Sequence, residues 1–152
     1  MIKHLIVCVV IQAISHIDLF AEIPDRIVDA VGFAESRNTP GSIGDNGSAL
    51  SAFQIWRSAW DDANSFRISQ GKRPIARSRW TDHSLSREIC RSYLALIESR
   101  LINAGVKPTP SRLYLCYTMG FAGAKTIGFD PIKAPAVKRK GLARFLSQLS
   151  HP

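Results

Sequence analysis

TDHSLSREICRSYLALIESRL, residues 81–101, is the longest segment of the chain with helical periodicity. Its apolar side chains recur three and four residues apart; they are Leu85, Ile89, Tyr93, Leu96 and Ile97, with Cys90, Leu94 and Leu101 widening the stripe. Thr81-Asp82-His83-Ser84 supplies oxygen atoms that suit a helix N-terminus. A helix that is apolar over so much of its circumference is typical of the centre of a domain. The segment therefore predicts a central helix in a mainly α fold.

The sequence on either side predicts further helices at residues 24–36, 52–64 and 135–149, and a shorter one from Leu113 that ends at Gly120. Residues 37–47 are rich in Gly, Asn and Pro, which predicts a structured loop or short β-hairpin after the first helix. Residues 65–80 are basic and lack periodicity, so we expect an exposed loop. With no repeat and no linker, the pattern indicates one mainly α domain.

Composition limits the function classes. The chain has 152 residues, is 45% hydrophobic and carries a formal net charge of +8. This is too apolar for a disordered protein, and the length suits a single core. The basic excess predicts attraction to polyanions, which include nucleic acid, anionic membranes and acidic cell-wall polymers.

The first residues predict export. Lys3 precedes an apolar run from Leu5 to Ile14, and Ala21 follows as a small residue at a cleavage site, with Ser15 as a competing site. Gln12, His16 and Asp18 interrupt the run too early for a membrane anchor. We expect residues 1–21 to be a signal peptide and residues 22–152 to form the mature domain, periplasmic or secreted, with no integral membrane span.

The cysteines and histidines leave one question open and argue against a metal. Cys90 and Cys116 remain in the mature chain, where export permits a disulfide and their apolar context equally permits two buried thiols. There is no CxxC motif, and His83 has no partner at ligand spacing, so no metal and no cofactor is predicted.

Glu35 is the first candidate for chemistry. It follows Val28 by seven residues and Val31 by four, so it borders the apolar face at the end of the first helix. A carboxyl group there loses solvation, which raises its pKa and lets it donate a proton near neutral pH. An exposed or hydrogen-bonded carboxylate at a helix end is the alternative.

The residues after Glu35 carry a family resemblance. Glu35-Ser36 is followed by residues 42–50, SIGDNGSAL, and then by Ala52-Phe53-Gln54-Ile55. With Tyr117-Thr118-Met119-Gly120, this constellation resembles the lysozyme-like soluble lytic transglycosylases over about residues 24–130. The resemblance implies a single lysozyme-like domain.

The resemblance also implies an activity: cleavage of the β-1,4 bond between N-acetylmuramic acid and N-acetylglucosamine in peptidoglycan glycan strands, with Glu35 as the single general acid/base. Gln54, at the predicted start of the second helix, and Tyr117 would line the cleft, and Ser36 would support the glutamate. Capping, core packing or surface polarity are the alternatives for these three. Trp56 and Trp60 could stack on sugars, but both fall on an apolar helix face, where we expect core packing.

Two positions depart from the family pattern. Ser51 replaces a small glycine, and Thr118 replaces an asparagine, so it lacks the amide's paired donor and acceptor. These departures motivate a second hypothesis, a wall-binding or scaffolding module without turnover.

Asp45 distinguishes two chemistries. A hydrolase needs a second carboxylate to activate water or attack the sugar, whereas a transglycosylase closes the substrate's own 6-hydroxyl onto the anomeric carbon. Within Gly44-Asp45-Asn46-Gly47 an aspartate is typical of a turn, which favours a supporting role. Binding of nucleic acid, a third hypothesis, is motivated by charge alone, because aromatic residues are not interleaved with the basic ones.

Overall fold

The computed structural model describes residues 22–150, so the predicted signal peptide lies outside the described residues. The helices are α1 (Asp25–Ser36), α2 (Arg57–Ser69), α3 (His83–Asn103), α4 (Pro110–Thr126) and α5 (Ala136–Leu149). Strands β1 (Ile43–Gly44), β2 (Ala49–Leu50) and β3 (Ile55–Trp56) follow α1, and short 3₁₀ turns lie at Asp45–Gly47, Arg77–Arg79 and Pro131–Lys133. The predicted mainly α domain with a small β element after the first helix is confirmed. Among residues 22–150, no helix combines the length and apolar character needed to cross a membrane.

The central helix is α3, as its sequence predicts. Its Ile89, Cys90, Leu94 and Ile97 are fully buried, and it packs against α1, α2 and α4. Asp82 caps it, because its Oδ1 accepts a hydrogen bond from the backbone N–H of Leu85 at 3.2 Å. Periodicity and capping chemistry agree here, so the prediction holds to within a residue or two.

The β element is a three-stranded antiparallel sheet in the order β1-β2-β3, with Ile43 opposite Leu50 and Leu50 opposite Ile55. It corrects the prediction for the second helix, which begins at Arg57 rather than Ala52 and ends at Ser69 rather than Asn64. The cause is local, since Ser51 and Gln54 have φ values of 72° and 49°. Residues 51–54 therefore turn the chain into β3.

The other boundaries hold in part. α1 and α5 each begin one residue later than predicted and end where predicted. The helix predicted from Leu113 begins at Pro110, and it is interrupted at Gly120 as predicted, since Gly120 has the non-helical values φ 72° and ψ 154°. A second helical segment, which the sequence did not predict, follows the interruption and extends α4 to Thr126. In the predicted 65–80 loop, Ile75 is buried and its carbonyl accepts a hydrogen bond from the indole N–H of Trp60 at 2.8 Å.

The two cysteines of the predicted mature chain do not form a disulfide. Cys90 and Cys116 are buried free thiols.

The positive charge is concentrated in the last third of the chain. The ion pairs of the described residues all lie between residues 25 and 100. Residues 104–150 contain one carboxylate, Asp130, against eight basic residues: Lys107, Arg112, Lys125, Lys133, Lys138, Arg139, Lys140 and Arg144. None of these eight forms an ion pair within residues 22–150.

Candidate active site

Glu35 lies in the last turn of α1 and is half-buried. The helix ends just after it because Arg37 adopts a left-handed conformation, with φ 57°, and its N–H bonds back to the carbonyl of Phe33. The hydroxyl of Tyr114, on α4, donates a hydrogen bond to Oε1 of Glu35 at 2.7 Å. The second oxygen atom of the carboxyl group has no partner of this kind within residues 22–150, which leaves it available to a ligand.

Burial raises the pKa of Glu35 above that of an ordinary glutamic acid. The hydrogen bond from Tyr114 and the positive charges of Lys138 and Arg144 oppose this rise, while the negative charge of Asp45 adds to it. Because desolvation is the largest influence, the protonated form of Glu35 persists to a higher pH than in solution. This confirms the expectation that followed from its place at the edge of the apolar stripe.

Glu35 opens onto a cleft of about 310 Å³ between α1, the sheet, α4 and α5. The cleft is lined by Glu35, Asp45, Gln54, Trp56, Tyr114, Tyr117, Thr118, Val137, Lys138, Gly141 and Arg144. It thus brings together five of the six predicted site residues. Ser36 stands outside, where its hydroxyl donates to the carbonyl of Ala52 at 2.7 Å and ties the end of α1 to the turn before β3.

Asp45 and Trp56 form one unit at the edge of the cleft. The indole N–H of Trp56 donates to Oδ2 of Asp45 at 3.1 Å, and Trp56 is 51% exposed. The expectation of core packing is therefore wrong for Trp56 and confirmed for Trp60, which is fully buried. Trp56 belongs to β3 rather than to a helix, so the side chain that helical spacing assigned to the core points to the cleft.

Gln54 lies in the turn before β3, which corrects its predicted place at a helix start. Its side-chain amide donates to the carbonyl of Ser51 at 3.0 Å. A side chain at Gly44 would collide with the Gln54 amide oxygen, since an added Cβ would lie 2.0 Å from it. Gln54 is thereby held between the turn and β1, with its amide facing the cleft.

Tyr117 and Thr118 line the α4 side of the cleft, but their hydroxyl groups are already engaged. Tyr117 donates to the carbonyl of Phe53 at 2.6 Å, and burial raises its pKa. The Thr118 hydroxyl donates to the carbonyl of Leu115 in its own helix at 3.3 Å. Both hydroxyl groups therefore already donate to backbone carbonyls of the protein.

α5 contributes two cations that sequence reasoning did not place in the site. Lys138 donates to the carbonyl of Thr118 at 2.8 Å, and the guanidinium of Arg144 donates to the carbonyl of Ala34 at 3.2 and 3.1 Å. Gly141 lies between them and makes room for Tyr114, since an added Cβ would lie 2.9 Å from the tyrosine hydroxyl. The spacing of Lys138, Gly141 and Arg144 predicts a shared helix face, but not which element that face meets.

Glu35, with its raised pKa, suits the site to proton transfer. Among residues 22–150 no group of three or more His, Cys, Asp or Glu side chains is placed to hold a metal ion. Comparison of the chain with protein families, with curated proteins and with solved structures finds no match.

Proposed function

We propose that the protein is an exported, cofactor-free enzyme that cleaves the β-1,4 bond between N-acetylmuramic acid and N-acetylglucosamine in peptidoglycan, as a lytic transglycosylase with a lysozyme-like domain. The observation that carries the proposal is Glu35, a half-buried carboxyl group with a raised pKa in a cleft of about 310 Å³. Glu35 is the acid/base, and the resemblance of its surrounding motifs supplies the substrate class.

In this mechanism protonated Glu35 gives its proton to the glycosidic oxygen, and the bond between that oxygen and the anomeric carbon breaks. The resulting Glu35 carboxylate then removes the proton of the muramic acid 6-hydroxyl. That oxygen attacks the anomeric carbon and closes a 1,6-anhydro ring, so no water is consumed. Lys138 and Arg144 supply positive charge beside the carboxylate that forms after proton donation.

The contacts of Asp45 favour the transglycosylase over a hydrolase. A hydrolase would use Asp45 as the second carboxylate, and its place in the same cleft as Glu35 supports that alternative. However, Oδ2 of Asp45 accepts the indole N–H of Trp56, whose exposed ring could stack on a sugar. We therefore assign Asp45 the role of orienting Trp56.

The two departures from the family pattern have different consequences. Ser51 has φ 72°, a conformation that favours glycine, and its hydroxyl accepts a hydrogen bond from the N–H of Phe53 at 3.3 Å. The serine thus adopts the turn that a glycine would form. Thr118 does not replace the lost amide, since its hydroxyl bonds within α4. Because Thr118 lacks this amide, it should position a substrate less well. A wall-binding module without turnover therefore stays the alternative function.

The proposal is tested by incubating the full-length protein with purified peptidoglycan and identifying the released fragments by mass spectrometry. Glu35→Gln should lower the rate by roughly 100- to 10,000-fold, the usual contribution of a general acid. Glu98→Gln is the matched control, because burial also raises the pKa of Glu98 but that residue lies on α3 outside the cleft lining.

Each outcome assigns a function. Anhydro-muramyl ends, one water lighter than reducing ends, would support the transglycosylase. Reducing ends would identify a hydrolase and make Asp45 the second carboxylate. Release of no fragments by folded protein that still sediments with sacculi, with or without Glu35→Gln, would leave only the binding module.

A further inference from the structure

We propose that the protein docks on anionic phospholipid membranes through the outer face of α5 and the 3₁₀ turn before it, a surface made by Ile132, Lys133, Arg139, Lys140 and Leu146. This proposal goes beyond peptidoglycan cleavage and does not depend on it, since none of the five residues lines the cleft that holds Glu35.

The first observation is the placement of apolar side chains. Ile132 is 81% exposed and Leu146 is 38% exposed, although both are large aliphatic residues. With Arg139 they border one open groove, which is also lined by the buried Leu142 of α5. An exposed aliphatic patch on a folded domain is typical of an interaction site.

The second observation is that the patch is held in place. Pro131–Lys133 forms a 3₁₀ turn in which Asp130 accepts the N–H of Ile132 at 3.0 Å. The guanidinium of Arg139 donates to the carbonyl of Ala134 at 2.6 Å, which ties the turn to α5. Ile132 and Leu146 are therefore presented together rather than on separate mobile segments.

The third observation is charge. Arg139 lines the groove, while Lys133 and Lys140 are exposed and follow Ile132 and Arg139 directly in the chain. None of the three cations forms an ion pair within the described part of the chain. Asp130 is the one carboxylate in residues 104–150, and its side chain caps the 3₁₀ turn. The face thus combines uncompensated positive charge with exposed aliphatic groups.

This combination fits a lipid surface better than other polyanions. Anionic headgroups attract the cations, and the acyl region receives Ile132 and Leu146, as in amphipathic helices that lie in the membrane interface. An acidic glycan or nucleic acid would satisfy the cations alone and leave the aliphatic side chains in water. The face also lacks the aromatic residues on which unpaired bases stack.

The test is sedimentation of the full-length protein with vesicles of phosphatidylcholine that contain phosphatidylglycerol, compared with pure phosphatidylcholine vesicles. Wild type should bind the first more tightly than the second, since the apolar run of residues 5–14 meets both kinds of vesicle but only the first offers anionic headgroups. Ile132→Ser/Lys140→Gln should weaken binding by roughly 20-fold or more, since it removes one surface charge and one inserted aliphatic group. Residues 1–21 carry one lysine and one aspartate and are the same in every variant, so differences between variants report on α5.

The matched control is Ile68→Ser/Lys72→Gln, the same changes at exposed positions of α2 and the following loop, with Ile68 59% exposed. It should bind as wild type does. Leu146→Ser/Lys133→Gln is a second pair from the proposed face and should repeat the loss, with circular dichroism checking that each variant is folded.

Equal losses in test and control variants, or no preference for phosphatidylglycerol, would overturn the proposal. It would also fail if the variants lost binding to purified sacculi or to DNA while vesicle binding stayed unchanged, because the partner would then be an acidic polymer. The vesicle assays contain no peptidoglycan, so the membrane proposal succeeds or fails independently of the proposed enzymatic activity.

Discussion

Glu35 is subject to opposing influences, and their balance links its chemistry to protein stability. Burial disfavours its carboxylate, whereas Tyr114, Lys138 and Arg144 favour it, and the net direction of its pKa is upward. Because the folded protein then holds the proton more tightly than the unfolded chain, this group contributes stability below its unfolded pKa. That contribution is lost as the pH rises through the folded pKa.

The first prediction concerns this loss. Glu35→Gln cannot ionise, and its amide oxygen can still accept the Tyr114 hydroxyl. The free energy of unfolding of the variant relative to wild type should therefore increase from acidic to neutral pH. Urea titrations at a series of pH values measure the difference, and a difference that shrinks as the pH rises would contradict a raised pKa.

A second prediction tests the charges around the carboxyl group through the pH dependence of activity. A general acid must be protonated, so the rate falls as the pH rises through the pKa of Glu35. Lys138→Gln removes a positive charge that lowers this pKa. The variant should therefore keep its activity to a higher pH, which moves the alkaline limb of the pH–rate profile upward. Asp45→Asn removes a negative charge and should move it to lower pH.

Lys140→Gln is the control for the lysine, because Lys140 is on the same helix but outside the cleft lining. Its alkaline limb should coincide with that of wild type. If Lys138→Gln and Lys140→Gln shifted the limb equally, the effect would come from net charge rather than from contact with the site.

The third prediction separates two roles of Asp45. Asparagine keeps an oxygen atom for the Trp56 indole N–H but cannot act as a carboxylate, whereas alanine loses both functions. If Asp45 orients Trp56, Asp45→Asn should retain most of the activity at the pH optimum. Asp45→Ala should lower the activity about fivefold, because it loses one hydrogen bond of about 1 kcal/mol. Fluorescence of Trp56 should change only in the alanine variant, with Trp56→Phe identifying its signal. Comparable and severe losses in both variants would instead make Asp45 a second catalytic carboxylate.

The sequence predicts the site residues that lie near Glu35 in the chain, and it misses contacts made by residues far along the chain. Glu35 could be found because its own helix places it at the edge of an apolar stripe, and local motifs placed Gln54 and Asp45 near it. Tyr114 could not be found, since it meets Glu35 from 79 residues away. Arg144 bonds the end of α1 across 110 residues. The periodicity of α4 and α5 predicts which of their own side chains share a face. It does not predict which side chains of α1 that face will contact.

At the level of whole elements, the helices that the sequence predicts well are those with both periodicity and terminal signals. α3 has a long stripe and the Asp82 cap, and α5 begins after a proline. α2 was extended too far toward its N-terminus because Ala52, Phe53 and Ile55 are apolar and buried, as in a helix. Their burial is real, but it arises from a turn and a strand. Ser51 and Gln54 adopt positive φ without being glycines, so residue type gave no warning.

The fourth prediction concerns the interruption of α4. Gly120 has φ 72° and ψ 154°, and an added Cβ would meet nothing within 4 Å, so the cost of a side chain there is purely conformational. Gly120→Ala should lower the free energy of unfolding by about 1–3 kcal/mol. It should also reduce activity, because Thr118 and Tyr117 immediately precede the break.

Gly123→Ala, three residues later in the same helix, is the matched control. Its added Cβ would lie 3.6 Å from Met119 Cβ, an ordinary contact, and alanine there should stabilise the protein by up to about 1 kcal/mol. Urea unfolding measures both variants. Stabilisation by both substitutions would show that α4 tolerates a continuous helix at Gly120.

At the scale of the whole molecule, the ion pairs and the unpaired positive charge lie in different parts of one domain. Ion pairs such as Arg91–Asp25 and Arg100–Asp62 join elements in the first two thirds of the chain, while the basic residues of 104–150 lack such pairs in the described structure. Buried Phe145 stacks on Tyr114 with ring centroids 4.6 Å apart, so the same helix that presents cations outward also packs against the partner of Glu35. The exposed cations Arg139 and Lys140 and the residues that contact Tyr114 therefore lie on different faces of α5.

The fifth prediction follows from that separation. Screening acts over about 10 Å at 0.1 M salt and about 3 Å at 1 M, so it weakens attraction between exposed charges more than contacts inside the cleft. With peptidoglycan whose stem peptides carry carboxylates, kcat/KM should fall as salt increases, while kcat at saturating substrate stays nearly constant. An uncharged β-1,4-linked N-acetylglucosamine oligomer should show little salt dependence in either quantity if it is cleaved or if it binds as an inhibitor. A fall in kcat that matches the fall in kcat/KM would place the salt-sensitive charges at the reacting bond, and Lys138 and Arg144 beside Glu35 would then be their source rather than basic residues outside the cleft.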